Sequence, residues 1–445
     1  MAIIKPFRGL RFNAAKISDL AQVVSQPYDR VRYGLQEKYY DLHPYNIVRL
    51  IKGQELPTDA PDHPAGPNVY TRARAYYDLW RSKDVLIREE KPALYVYHQT
   101  FAIDGQRMTR KGFICAFELS PFDAGVVLPH ERTHAGPKVD RLRLLRATEL
   151  NLGQIFMLYP DPQNSVSARL DQAIAGQTPA LDVVEMFEKD VRQQVWVITD
   201  PQTIRAVQDE LAARRNLIIA DGHHRYETAL NHQAEMRRQH PDAPAGAAFN
   251  YRMVTMVGMQ DPGLVILPTH RELFDYPHVS GDQVIERARQ HFDVTPAADL
   301  RACLSMIKQN RKQHAFGLYA KNGYHMLTLK NPAMLEQLIA GEHRPAWKSL
   351  DVSILHKIVL EQIVGLDAQE IERQNHIRYH RDPSLPVENV DAGRGNMVFF
   401  LNPTQMSQVQ ACAEQGEKMP QKSTDFYPKV ITGLTMMPVA ADDLI

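Results

Sequence analysis

Apolar positions along the chain fall into two patterns. Continuous or alternating runs of four to ten residues suit strands, and apolar residues three and four apart suit helices. Leu217-Ile218-Ile219-Ala220 is a continuous run of strand length, closed by Asp221-Gly222. Tyr226, Ala229, Leu230 and Ala234 then share one helical face, and the helix stops at Pro241. The same reading predicts strands over 93–101 and 107–119 joined at Asp104-Gly105, further strands over 155–159, 195–200, 251–259, 264–267 and 398–401, and a hairpin about Asn322-Gly323 within 315–329. Short strands are also expected over 47–51 and from Val23 into the Gln26-Pro27 turn. Helices are expected over 36–42, 70–83, 165–175, 201–211, 284–292 and 350–363, with a proline-rich loop over 52–68. Pro129 and Gly136-Pro137 bracket a charged segment, so 129–141 reads as a loop, with Asp140 placed to cap a helix through Leu142 and Leu145. Strand, helix, strand and helix across 195–240 make an α/β unit with ligand groups at a strand's carboxyl end. The expected fold class is α/β with α+β mixing. The expected parts are an N-terminal α/β part over 1–110, a core α/β domain over 111–275 and a C-terminal α/β part over 276–445, or one elaborated domain.

Composition narrows the function classes. The 445 residues carry 52 Lys+Arg against 52 Asp+Glu. Such a balance argues against bulk nucleic-acid binding, which shows as a basic excess. No window approaches the roughly 20 apolar residues of a membrane span, and the first residues lack a signal peptide's apolar stretch. The expectation is a cytoplasmic protein with no membrane and no nucleic-acid partner. Cys115, Cys303 and Cys412 are too few and too scattered for a disulfide framework or a cysteine zinc site. The sequence leaves the oligomeric state open.

Three loops collect acid/base and cationic groups beside apolar strands. One is Asp221-Gly222-His223-His224-Arg225 at a helix start, where free N–H groups and the helix dipole favour anions. Another is His130-Glu131-Arg132, with Lys138 and Arg141 following; the third is Lys422-Ser423-Thr424. His130 to His134 fits H-E-x-x-H, but the flanking prolines deny the continuous helix a zinc peptidase needs. Lys422-Ser423-Thr424 shares the chemistry of a phosphate loop without its glycines. The mixture suits phosphoryl transfer, which is mostly positioning and charge stabilisation, with Mg²⁺ expected on Asp221 or Glu131 and ATP or ADP as possible cofactors. Asp221 or Glu131 is the expected proton acceptor. His223, His224 or His130 is the expected general acid or hydrogen-bond partner of a phosphate. Gly222, Arg225, Arg132, Lys138, Arg141, Lys422, Ser423 and Thr424 are the expected phosphate contacts.

Several stretches resemble the DUF1015 family from about residue 4 to 435. They include Ile4-Lys5-Pro6-Phe7-Arg8, Gln26-Pro27-Tyr28-Asp29, Pro44 to Leu50, Pro129 to Thr133, Gly136-Pro137-Lys138, Ala220 to Ala229, Leu267 to Arg271 and Met419 to Lys429. Asp221 to Arg225 is also similar to the signature of the ParB/sulfiredoxin-like superfamily, in which a Gly-x-x-Arg turn binds a nucleotide or phosphate. That resemblance implies a ParB/sulfiredoxin-like α/β core with large insertions and added mixed sheets. It departs least from the free-serine-kinase-like branch, whose motif uses an acid, a histidine and an arginine, with Glu131 as the candidate upstream acid. The implied activity is phosphoryl transfer involving a small hydroxylated metabolite or its phosphate ester, serine- or phosphoserine-like, as kinase or phosphatase. A non-catalytic nucleotide or phosphometabolite-binding regulator, a metal-dependent nuclease and a zinc hydrolase on His130 and His134 are the alternatives. The chain departs from the family pattern at Gln26, where proline is expected, and at His134 and Ala135, where an apolar residue and a serine are expected.

Overall fold

A computed structural model describes residues 1–32, 34–60, 63, 66–131 and 135–445, apart from the side chains of 135–137. The fold is mixed α/β, and it divides into two compact units. The first comprises Met1–Pro129, Thr133–Val265 and Pro428–Ile445; the second comprises His130–Arg132 and Ile266–Tyr427.

The first unit is built on a nine-stranded mixed sheet. Its order runs Val127–Leu128, Leu217–Asp221, Ile155–Tyr159, Tyr251–Gly258, Gln106–Glu118, Leu94–Ile103, Arg192–Ile198 and Leu181–Val184, with Ile4–Lys5 pairing the Gln106–Glu118 strand. The central strands read as apolar runs because both faces are covered: every residue of Ile155–Tyr159 and Tyr251–Gly258 is buried. Phe113, Cys115, Ile155, Met157, Ile219, Met256, Tyr226 and Ala229 belong to one core cluster. A second cluster gathers Ile47, Leu50, Trp80, Leu144, Leu150 and Leu152. The predicted hairpin closes at Asp104-Gly105, with Ile103 opposite Gln106. The strands Arg192–Ile198 and Leu217–Asp221 share the sheet but are not neighbours, so the expected α/β unit is split by long-range pairings.

Three local expectations are corrected. Val48–Ile51 is a helix, not a strand. Asn46 decides it: Oδ1 accepts from the Val48 N–H at 2.9 Å and Nδ2 donates to the Gln22 and Val24 carbonyls. A short apolar run cannot distinguish a buried helical turn from a strand. Near Val23 the chain forms a Leu20–Gln22 3₁₀ turn and a single bridge from Ser25 to Thr432 rather than a strand. The helix expected after Asp140 begins at Ala135 and runs to Thr148, so Asp140 lies inside it. Pro137 falls in the first turn, where its missing N–H has no intrahelical acceptor to lose. Arg132 and His134, and with them the H-E-x-x-H pattern, lie outside the described residues.

The Asp261-Pro262-Gly263 turn supplies a pH-dependent element. Asp261 Oδ1 accepts from the Gly263 N–H at 2.8 Å and Oδ2 from the Lys111 N–H at 3.4 Å. Burial outweighs these bonds and pushes the carboxyl from its ordinary 3.8 up to about 6. A raised carboxyl contributes stability that is full below its unfolded value and is lost as pH rises through the folded value. Asp261→Asn is expected to remove a fall on the order of 2 kcal/mol between pH 4 and 7. Urea midpoints at the two pH values check this; an unchanged difference between them would contradict it.

The second unit carries a six-stranded antiparallel sheet. Its order is Phe292–Ala297, Gly323–Leu329, Ala315–Ala320, Met397–Phe400, His270–Leu273 and Ile377–His380. The helix expected over 284–292 is shorter, Gly281–Ala288, and Phe292 opens a strand instead. The helix expected over 350–363 is α-helical only over Asp351–Ile354 and continues as a π-helix over Leu355–Val364. Among the described residues no helix of either unit is long and apolar enough to cross a membrane.

Candidate functional site

The Leu217–Asp221 strand ends in a register shift between Ile219 and Asp221 against the Ile155–Tyr159 strand. Such a bulge re-aims the last side chain. Gly222 follows with φ +101°, and the His223–Gln239 helix starts at the next residue. Only glycine takes this backbone without strain. A Cβ there would also meet the Arg225 Nε at 3.0 Å and Cζ at 3.2 Å. Gly222→Ala is therefore expected to cost about 1–2 kcal/mol of stability and to displace the Arg225 guanidinium. Thermal melts with and without inorganic phosphate read both effects; wild-type stability and an undiminished phosphate-induced rise would contradict them.

Arg225 is fixed on several sides. Its NH1 donates to the Gln154 carbonyl and its NH2 lies 3.4 Å from Asp221 Oδ1. Lys429 Nζ lies 3.4 Å from Asp221 Oδ2. Burial works to raise the Asp221 carboxyl, but Lys429, Arg225 and His223 outweigh it and hold the group well below the usual carboxylate range. Asp221 is thus a persistent anion pinned between two cations. His223 is buried at the helix start, and His224 is half-buried beside it.

Arg225 opens onto a cavity of about 50 Å³ lined also by Tyr28, Arg141, Leu152, Thr228 and Arg252. Arg141 donates twice to Asp140 Oδ2, at 2.8 and 2.6 Å, and once to the Ile51 carbonyl at 2.8 Å. Its guanidinium lies over the Tyr28 ring, 4.2 Å from the centroid. Lys138 pairs with Glu227 at 2.8 Å, tying the Ala135–Thr148 helix to the His223–Gln239 helix. Arg252 is the exception. It is 6 % exposed and donates NH2 to the Gly153 carbonyl at 2.7 Å, and among the described residues its Nε has no partner. Burial, reinforced by the neighbouring Arg225 cation, lowers it to about 9. It is still a cation at neutral pH, and among the described residues no carboxylate pairs with it.

Arg132 lies outside the described residues, and the other expected residues lie in the second unit. His130 is buried, with Nε2 2.9 Å from the Thr424 hydroxyl, and that hydroxyl is 3.4 Å from Glu131 Oε1. Met419 donates its N–H to the His130 carbonyl at 2.8 Å. Ser423 spends its hydroxyl on the Pro420 carbonyl at 2.5 Å, and Lys422 is exposed with φ +57°. The structure thus groups His130, Glu131 and Thr424 in one unit, and Asp221, Arg225 and Arg141 in the other.

Arg252 and Lys429 were not among the expected residues. A lone charge inside the apolar Tyr251–Gly258 run marked the first. The second lies in the Met419–Lys429 stretch already singled out in the sequence.

The residues around Asp221 do not fit the Mg²⁺ expected there. Each Asp221 oxygen already faces a cation, and among the described residues no group of three or more His, Cys, Asp or Glu could hold a metal ion.

The family described as "Protein of unknown function (DUF1015)" matches residues 4–353. No curated protein matches the chain. Among solved structures, a conserved hypothetical protein from Pyrococcus furiosus is 13% identical, with 72% of this chain and 94% of that chain covered and a TM-score of 0.32. A free serine kinase in complex with AMP is 12% identical, with 72% and 90% covered and a TM-score of 0.35. SbnI with C-terminal truncation, from Staphylococcus aureus, is 10% identical, with 72% and 87% covered and a TM-score of 0.35. At these scores the likeness carries no chemistry over to this chain.

Proposed function

The chain belongs to the DUF1015 family, and on the residues gathered at Asp221–Arg225 we propose that it is a phosphoryl-transfer enzyme. Its substrate class is a small hydroxylated metabolite or the phosphate ester of one, serine- or phosphoserine-like, handled as kinase or phosphatase. The observation that carries this reading is Arg252, a buried guanidinium with an open Nε beside Arg225. A buried cation without a counter-ion is strongly unfavourable, so the cavity calls for an anion. Its size agrees. About 50 Å³ exceeds the roughly 30 Å³ of a water and falls far short of the roughly 300 Å³ of a pocket for a drug-sized molecule. A single tetrahedral phosphate group suits it, with the rest of the substrate or nucleotide outside.

Charge agrees as well. The described ion pairs leave Arg252 without a carboxylate and make Lys429 and Arg225 share Asp221. A phosphate monoester brings about −1.5 to −2 at neutral pH. Arg225 and Arg252 would hold its oxygens. As Arg225 turns to the phosphate, Asp221 keeps only Lys429 beside it, regains part of its basicity and can accept the proton of an attacking hydroxyl or water. The bond from phosphorus to the leaving oxygen breaks as the bond to the attacking oxygen forms.

One observation favours the alternative, a phosphate-binding regulator without turnover: Asp221 pinned by Lys429 and Arg225 is a weak base. ³¹P NMR of the protein with ATP or ADP plus serine, and separately with phosphoserine, separates the two. A new phosphorus resonance growing with time supports the enzyme. Shifted resonances without a new product overturn it in favour of the regulator.

A further inference from the structure

The second unit holds a cavity of about 190 Å³. One wall is a ring pair: His343 and Trp347 lie 3.7 Å apart between centroids and within 9° of parallel. Both rings are held. His343 Nδ1 sits 3.0 Å from Glu417 Oε2, and Trp347 Nε1 donates to the Lys418 carbonyl at 3.0 Å. A rigid aromatic wall takes flat groups at little entropic cost. Ile371 adds an apolar surface.

Another wall comes from the π-helix Leu355–Val364, which brings His356, Lys357 and Glu361 to the cavity. π-Helical segments are rare, and those found within helices frequently sit at functional sites. His356 is 5 % exposed, and its Nε2 has no hydrogen-bond partner among the described residues. Burial, with Arg271 and Lys357 as neighbouring cations, keeps the ring neutral. A buried ring nitrogen without a partner is unfavourable until a ligand satisfies it. Lys357 Nζ lies 2.8 and 3.0 Å from the two Glu361 oxygens, with 31% and 24% of the side chains exposed. A pair this exposed contributes little, so its ends are free to take new partners.

We propose that this cavity binds an aromatic α-amino acid. Its carboxylate lies between Lys357 Nζ and His356 Nε2–H, its ammonium on Glu361, and its ring against the His343–Trp347 wall. A zwitterion inserted into the Lys357–Glu361 pair leaves each ion with a partner, and its carboxylate gives the unpartnered His356 Nε2 one in the tautomer that carries the proton there. A simple anion would leave Glu361 unmatched, and a simple cation would leave Lys357 so.

Isothermal titration calorimetry on the full chain tests this with L-phenylalanine, 3-phenylpropionate, which lacks the ammonium, and phenethylamine, which lacks the carboxylate. L-phenylalanine should bind saturably and both analogues at least about tenfold more weakly. Lys357→Met and Glu361→Gln should each weaken L-phenylalanine about tenfold while their melting curves stay near wild type. Absence of L-phenylalanine binding, equal binding of the analogues, or undiminished binding by both folded variants overturns the proposal. If a variant does not fold, the comparison of the three ligands on the wild-type chain decides.

Discussion

Asp221→Asn is expected to destabilise the protein by about 2 kcal/mol at neutral pH while tightening its hold on phosphate. The carboxylate is the shared partner of Arg225 and Lys429. Removing one member of a buried ionic group strands the others, at roughly 3–5 kcal/mol for full burial. A quarter of the Asp221 side chain is exposed, and solvent reduces the loss. Arg225 and Lys429 then have one fewer anion competing with a phosphate, so its affinity rises. The same change removes the proposed proton acceptor, so any turnover disappears. The pH dependence has a definite sign. Asp221 is held below its ordinary 3.8, so it contributes stability above about pH 4 that is lost as the solution becomes more acid. The variant should lack that acid-side loss. Urea midpoints at pH 7 and pH 3, with phosphate titrations at pH 7, read all of this. Wild-type stability, or weaker phosphate binding, would count against the arrangement.

Arg252→Met is expected to separate stability from binding in the opposite direction. The Gly153 carbonyl loses a donor, at about 1 kcal/mol, but a buried charge without a counter-ion is replaced by an apolar chain of similar reach. Such replacements stabilise by about 1–4 kcal/mol. The variant should be about 1 kcal/mol more stable than wild type without ligand. Its phosphate affinity should fall at least about tenfold, since a hydrogen bond between charged groups contributes about 1.5–3 kcal/mol. Melting temperatures with and without phosphate show both at once: a higher baseline and a lost ligand-induced rise. A less stable variant with an unchanged rise would assign Arg252 to the fold rather than to a ligand.

Much of the fold was legible because its strands are long apolar runs with clear punctuation. Leu217–Asp221 with Gly222, and the hairpin at Asp104-Gly105, carry their geometry in adjacent residues. Val48–Ile51 was not legible, since Asn46 sets its conformation through bonds to Gln22 and Val24. The helix start at Ala135 was obscured by Pro137, a residue that breaks helices in their interior and is tolerated in their first turn. The surroundings of the turn were harder still. Lys429 reaches Asp221 across 208 positions, and Thr424 meets His130 across 294. Arg252 faces Arg225 only because the Tyr251–Gly258 strand lies beside Ile155–Tyr159, a pairing no local pattern encodes. The sequence carried the strand, the glycine turn and the helix start; sheet order set their charged neighbours.

The proposed function rests on Arg225 and Arg252 forming a phosphate site at the end of the Leu217–Asp221 strand. ³¹P NMR of AMP and phosphoserine titrated with wild-type protein and with Arg252→Met tests it most directly. A saturable shift or broadening of at least one phosphorus resonance is expected with wild type, largely abolished in the variant. Resonances that do not move with wild type, or that move equally with the variant, would contradict it.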